Sequence, residues 1–76
     1  MQLHELPIGS RATIEAMSGE PALLQRLYEF GLLEGETVEL LALAPLGDPL
    51  EIRIGRTRLS LRRSEAACIA VRVSDR

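Results

Sequence analysis

SGEPALLQRLYEFGLLEGETV, residues 18–38, carries the start and the stop of one short helix and the turn that follows it. Pro21 suits the first helical turn, where its missing N–H would have had no intrahelical partner, and Ser18 or Glu20 is placed to act as N-cap. Leu23, Leu24, Leu27 and Tyr28 recur at spacings of three and four and share one face; Gln25, Arg26 and Glu29 fall on the other. Gly31 is the expected terminator, because the residue just past a helix end adopts a left-handed conformation that costs glycine little. With Phe30 as C-cap, Leu32 lands where a Schellman motif places its apolar contact with Leu27. Gly35 then turns the chain into an alternating run from Thr37. The stretch reads as a helix that plugs one end of something, followed by a strand.

Working outward, the segments on both sides alternate with period two. RATIEAM, 11–17, places Ala12, Ile14 and Ala16 on one side and Arg11, Thr13 and Glu15 on the other. In TVELLALA, 37–44, Val38, Leu40, Ala42 and Ala44 form one face. Leu41 and Leu43 share the opposite face with Glu39, where apolar residues need a partner. APLGDP, 44–49, is a loop by composition. LEIRI and TRLSL follow, with Leu50, Ile52, Ile54, Leu59 and Leu61 inward, joined by a two-residue hairpin at Gly55-Arg56 of the type II′ kind. Ser64 caps a helical turn through Glu65 to Ala67, and CIAVRV closes the chain with Ile69, Val71 and Val73 on one face. Ahead of all this, Pro7 makes LHELPIGS a turn or extended lead-in that lays Leu3 and Leu6 on the core edge. Five short strands with regular turn signals and no βαβ pattern predict a mainly β fold, a small antiparallel barrel with one short α-helix between its first and second strands.

Composition narrows the class. Seventy-six residues predict a single domain, 1–76, near the lower size at which a core supports itself unaided. One cysteine, Cys68, leaves no internal disulfide or multi-cysteine zinc site, and it is expected as a buried, space-filling thiol. No apolar run is long enough to span a bilayer and the N-terminus lacks the pattern of a signal peptide, so a cytoplasmic protein without membrane insertion is expected. The net charge of −2 conceals an asymmetry. Residues 1–50 hold eight acids and two arginines, whereas residues 51–76 hold seven arginines and three acids. The expectation is mutual pairing between the halves rather than a nucleic-acid surface.

Catalytic constellations are not apparent. His4 is the sole histidine, far in sequence from Cys68, and no metal-ligand spacing or phosphate-binding glycine loop occurs. A non-enzymatic binding module is therefore expected, with no cofactor and no metal site. Tyr28, Leu41, Leu43, Pro45, Leu46, Gly47, Asp48 and Pro49 are the candidate partner-binding residues, and Leu41 and Leu43 also offer a route to weak self-association. Arg62 and Arg63 form a further exposed pair.

Four ordered blocks carry a resemblance. L-x-x-L-P-x-G (Leu3–Gly9), R-L-x-E-x-G-L-x-x-G-x-x-V (Arg26–Val38), A-P-L-G-D-P (Ala44–Pro49) and L-S-L-R-R-S-E-A-x-x-I-x-V (Leu59–Val71) together resemble the FeoA family. The resemblance implies an SH3-like β-barrel and a cytoplasmic accessory role in bacterial ferrous iron uptake, acting on the membrane transporter FeoB, which carries a GTP-binding domain. It also implies an alternative, an SH3-like regulatory module related to the C-terminal domain of metal-dependent repressors. A competing mechanism would have Arg62 or Arg63 reach a GTP site as an arginine finger.

Overall fold

The computed structural model describes residues 1–73; residues 74–76, which the sequence reading includes in the domain, lie outside the described residues. Five antiparallel strands form one sheet in the order β4-β3-β2-β1-β5: β1 Arg11–Met17, β2 Thr37–Leu43, β3 Leu50–Ile54, β4 Thr57–Leu61 and β5 Ile69–Val73. The helix α1, Pro21–Glu29, lies between β1 and β2, and a single-turn helix α2, Arg63–Ala66, lies between β4 and β5. One core, shared by the sheet, α1 and the N-terminal segment, buries Leu3, Ile14, Leu27, Leu32, Leu40, Leu50, Ile52, Leu61 and Ile69 completely or nearly so.

The helix ends as its sequence dictates. Phe30 is the C-cap and Gly31 has φ +94°. The Leu32 N–H donates to the Leu27 carbonyl at 3.0 Å and the Gly31 N–H to the Tyr28 carbonyl at 2.9 Å, the two bonds of a Schellman motif. At the other end Glu20 occupies the N-cap position but its side chain makes no capping bond, so Pro21 alone marks the start. The buried seam is narrower than periodicity suggests. Leu27 is fully buried and Leu23 packs against the core, but Leu24 is only half-buried and Tyr28 is exposed. Tyr28 is turned about 100° from Leu27 around the helix, which puts it at the solvent boundary.

Two β-bulges correct the strand faces expected from alternation. In β1 the register against β5 shifts between Ile14 and Ala16, so Ala16 is exposed and Met17 packs toward the core. In β2 the register against β3 shifts between Leu40 and Ala42. Beyond the shift, Ala42 opposes Glu51 and Leu43 opposes the buried Leu50. Leu41 is the extra residue and is half-buried, and Leu43 no longer shares the face of Glu39. A bulge inserts one residue, and with a side-chain period of two that exchanges the faces of everything after it.

The sheet curls but stays open, in contrast to the closed barrel expected. Gln2 forms an antiparallel bridge to Ala70, and the Val71 N–H donates to the Met1 carbonyl at 2.7 Å, so the lead-in occupies the free edge of β5 where β4 would have to pair. The lead-in itself contains a 3₁₀ turn at Leu3–Glu5, which buries Leu3 and Leu6 as expected. Two further differences concern the last third of the chain. α2 begins at Arg63, with Arg62 rather than Ser64 in the N-cap position. Cys68 is half-buried between α2 and β5, its thiol directed at the Ser64 carbonyl at 3.6 Å, rather than filling the core. Val73, at the end of β5, is exposed.

Candidate partner-binding surface

The loop at 44–49 is a held feature. Prolines fix the backbone on both sides of Leu46 and Gly47, the Gly47 N–H donates to the Ala44 carbonyl at 2.7 Å, and the Ala44 N–H donates to the Pro49 carbonyl at 3.0 Å. Gly47 has φ +83°, a conformation that a side chain would strain. The Asp48–Pro49 peptide is cis. Asp48 Oδ1 accepts the Arg63 N–H at 2.9 Å, and the Arg63 guanidinium approaches the Gly47 carbonyl at 3.5 Å. The tip of this tied-down loop carries Leu46, 96% exposed, with Leu43 at the strand end beneath it 38% exposed. An isoleucine- or leucine-sized side chain held fully in water on a fixed backbone is pre-organised to enter an apolar pocket, because little conformational entropy is lost on docking.

α2 joins this loop to α1. Glu65 is 9% exposed; its Oε1 accepts the Arg62 N–H at 2.9 Å, and its Oε2 accepts from Arg26 Nη2 of α1 at 2.9 Å. Asp48 and Glu65 thus satisfy successive backbone donors, of Arg63 and Arg62, at the start of α2. Arg26 is exposed on α1, as expected, and its guanidinium reaches Glu65 of α2. At the C-terminal end of α1, Tyr28, Phe30 and Leu33 are exposed. The Tyr28 hydroxyl donates to Glu34 Oε2 at 3.3 Å, and the negative charge of Glu34, with smaller contributions from burial and the hydrogen bond, raises the phenol above its ordinary 10.0. The phenol is therefore neutral at physiological pH.

Of the residues singled out from sequence, the structure exposes Tyr28, Leu43, Pro45, Leu46, Asp48 and Pro49, and half-buries Leu41 and Gly47. Leu43 to Pro49 form one local stretch of surface, and Tyr28 lies apart from it on α1, the helix that α2 ties to the loop through Arg26 and Glu65. Asp48 holds the loop on α2, with one carboxylate oxygen already occupied. Phe30 and Leu33 were not singled out in the sequence, where nothing local sets them apart from the nearby Leu27 and Leu32, which are buried. The Arg26–Glu65 pair was also missed; both residues stand in the motif blocks at Arg26–Val38 and Leu59–Val71, but nothing local to either names its partner. Of the four ion pairs among the described residues, Arg53–Glu39 and Arg72–Glu15 join an acid of the first half to an arginine of the second, as the charge asymmetry predicts; Arg26–Glu65 joins the halves with the charges reversed, and Arg58–Glu51 lies within the second half. Among the described residues no group of three or more His, Cys, Asp or Glu side chains is gathered to hold a metal ion, and no helix is long and apolar enough to cross a membrane.

A curled, five-stranded antiparallel sheet with one short helix between β1 and β2 and a tied-down apolar loop defines a small SH3-like β domain. Residues 1–73 match the FeoA domain, and the chain belongs to the FeoA family. It is similar to the Fe(2+) transport protein A/Fe(2+) transporter FeoB fusion protein of Porphyromonas gingivalis, 39% identical over 71 residues that make up 93% of this chain and 8% of that protein. The chain thus spans a small fraction of that curated relative. Among solved structures it resembles the FeoA protein of Chlorobium tepidum, at 41% identity and a TM-score of 0.90 over 96% of this chain and 70% of that one. It also resembles Stenotrophomonas maltophilia FeoA complexed with zinc, described as a prokaryotic SH3 domain protein, at 39% identity and a TM-score of 0.81 over 93% of this chain and 88% of that one. A manganese-dependent transcriptional repressor matches at 20% identity with a TM-score of 0.89, over 97% of this chain and 41% of that one, which establishes shared fold alone.

Proposed function

We propose that this protein is a non-enzymatic cytoplasmic accessory of a ferrous iron uptake system, which binds the cytoplasmic part of a FeoB-type transporter and modulates it. The observation that carries this reading is the Porphyromonas gingivalis relative, whose name describes a protein A segment and a FeoB transporter in one chain. Fusion replaces a bimolecular encounter by an intramolecular one at an effective concentration of order mM, an arrangement suited to two parts that act on each other. The surface described above supplies a physical means. Leu46 on the held loop and Leu43 at the end of β2 are the anchor, and Tyr28 on α1 is a separate exposed apolar contact.

Calorimetric titration of the detergent-solubilised cognate transporter tests the reading. The wild-type protein should bind saturably, and Leu46→Glu, which places a charge at a fully solvated position and leaves the fold intact, should weaken binding at least tenfold, about 1.4 kcal/mol. Modulation is read from the transporter's GTP hydrolysis rate with and without saturating protein. A transporter that binds wild type and Leu46→Glu equally refutes the contact, and the lack of any binding refutes the partnership.

A further inference from the structure

The outer face of the sheet holds a second feature that the apolar surface does not use. The register sets Arg11 of β1 opposite Glu39 of β2, Glu39 opposite Arg53 of β3, and Arg53 opposite Arg58 of β4. One row across four strands therefore carries three guanidiniums and one carboxylate, in a protein whose net charge is −2. Adjacent strands lie about 4.8 Å apart, so the row spans roughly 15 Å. Like charges placed directly opposite each other, as Arg53 and Arg58 are, destabilise a sheet, and an incoming anion would relieve that repulsion. Arg53 donates to Glu39 Oε1 at 2.5 Å and Arg58 to Glu51 Oε2 at 2.8 Å. Arg11 and Arg56, both exposed, make no side-chain hydrogen bond among the described residues. At this place the surface sinks into an open concavity of about 360 Å³, lined by Arg11, Thr37, Glu39, Arg53 and Gly55. No atom lies within 4 Å of where a Cβ on Gly55 would be, so that wall is open to an extended chain.

We propose that this concavity docks an acidic segment of a partner protein, one Asp or Glu carboxylate seated between Arg11 and Arg53 beside the Thr37 hydroxyl, with Arg56 at the hairpin tip receiving a second acid. The inference rests on the reading of this chain as a partner-binding domain and gives the chemistry of a second contact. Guanidinium groups bind carboxylates through paired N–H donors, and Arg53 retains donors beyond the one given to Glu39. Glu39 decides between anions. Its carboxylate, lining the same concavity, repels a compact dianion such as phosphate more strongly than a single monoanionic side chain. A peptide, unlike a free ion, also brings several acids to match successive arginines.

The test is an amide NMR titration of the ¹⁵N-labelled protein with a blocked hexaglutamate peptide, and separately with inorganic phosphate at equal ionic strength. Saturable shifts at Arg11, Thr37, Glu39, Arg53 and Arg56 are expected with the peptide. Binding should weaken about three- to tenfold in Arg11→Gln with Arg56→Gln. It should weaken further as salt rises from about 0.05 M to about 0.5 M. Glu39→Gln, which removes the competing carboxylate, should tighten it several-fold. No saturable shift, equal shifts with phosphate, or an Arg11→Gln/Arg56→Gln variant that binds as wild type overturns the proposal. The two readings fail separately: a cradle that binds the peptide while the transporter binds nothing sinks the transporter reading alone. A transporter that binds normally, with the cradle inert to the peptide, sinks this inference alone.

Discussion

Replacing Glu65 by alanine removes the acceptor that holds α2 to both the chain before it and α1. In the native fold Oε1 accepts the Arg62 N–H and Oε2 accepts from Arg26, each at 2.9 Å. A hydrogen bond to a charged group contributes about 1.5–3 kcal/mol, and the exposure of Arg62 lets water replace part of it, leaving about 1–1.5 kcal/mol. The Arg26 side chain is 58% exposed, so the ion pair is screened and adds no more than about 0.5 kcal/mol. The expected loss is about 1–2 kcal/mol, a large share of the roughly 3–5 kcal/mol that a domain of this size possesses. Thermal unfolding followed by circular dichroism should show a Tm lowered by about 4–16 °C. Glu65→Gln keeps a neutral acceptor for the Arg62 N–H and should lose less than half as much. A double-mutant cycle with Arg26→Ala should return a coupling below about 0.5 kcal/mol. A Glu65→Ala protein that melts within about 2 °C of wild type, with unchanged amide shifts at Leu46 and Gly47, would refute the role given to α2 as the tie between loop and helix.

Three further outcomes are expected. Leu27→Ala empties a fully buried site under α1 and should cost about 2–5 kcal/mol in urea unfolding, so a melt that hardly moves would remove α1 from the core. Gly31→Ala should cost about 1–2 kcal/mol through the left-handed backbone alone, since nothing lies within 4 Å of the added Cβ; an unchanged midpoint in the same experiment would contradict the Schellman geometry. Tyr28 is the sole tyrosine and there is no tryptophan, so its ionisation is read directly from ultraviolet absorbance, with a midpoint above 10.0 that falls in Glu34→Gln. Because the folded phenol's pKa is raised, the neutral form is favoured by folding. That contribution to stability is present below the unfolded phenol's pKa and is lost as pH rises through the folded value.

The elements legible in the sequence are those set by local chemistry. Pro21 and Gly31 bracket α1, Gly55-Arg56 makes the β3–β4 turn with φ +57° at Gly55, and alternation places Val38, Leu40, Leu50, Ile52, Ile54 and Leu61 inward. The failures share a different origin. Ala16 and Leu43 take the wrong face by alternation because each follows a bulge, and neither bulge is marked by a glycine or any other local signal. Closure was expected because an open edge is a liability. The edge of β5 is instead covered by Met1 and Gln2, which lie some seventy residues away in sequence. The same distance hides Arg26 from Glu65. In the candidate surface, loop composition pointed to 44–49, but the bond from the Arg63 N–H to Asp48, fifteen residues away, which ties the loop to α2, has no local signal.

The most direct test of transporter binding is amide chemical-shift mapping of the ¹⁵N-labelled protein against the soluble GTP-binding domain of its cognate transporter and then the whole solubilised transporter, each with GDP and with a non-hydrolysable GTP analogue. Saturable changes centred on Leu43, Leu46, Gly47 and Tyr28 with at least one of these partners are the predicted result. The absence of change with every partner and nucleotide, or changes confined to residues outside both the loop surface and the arginine cradle, would contradict it.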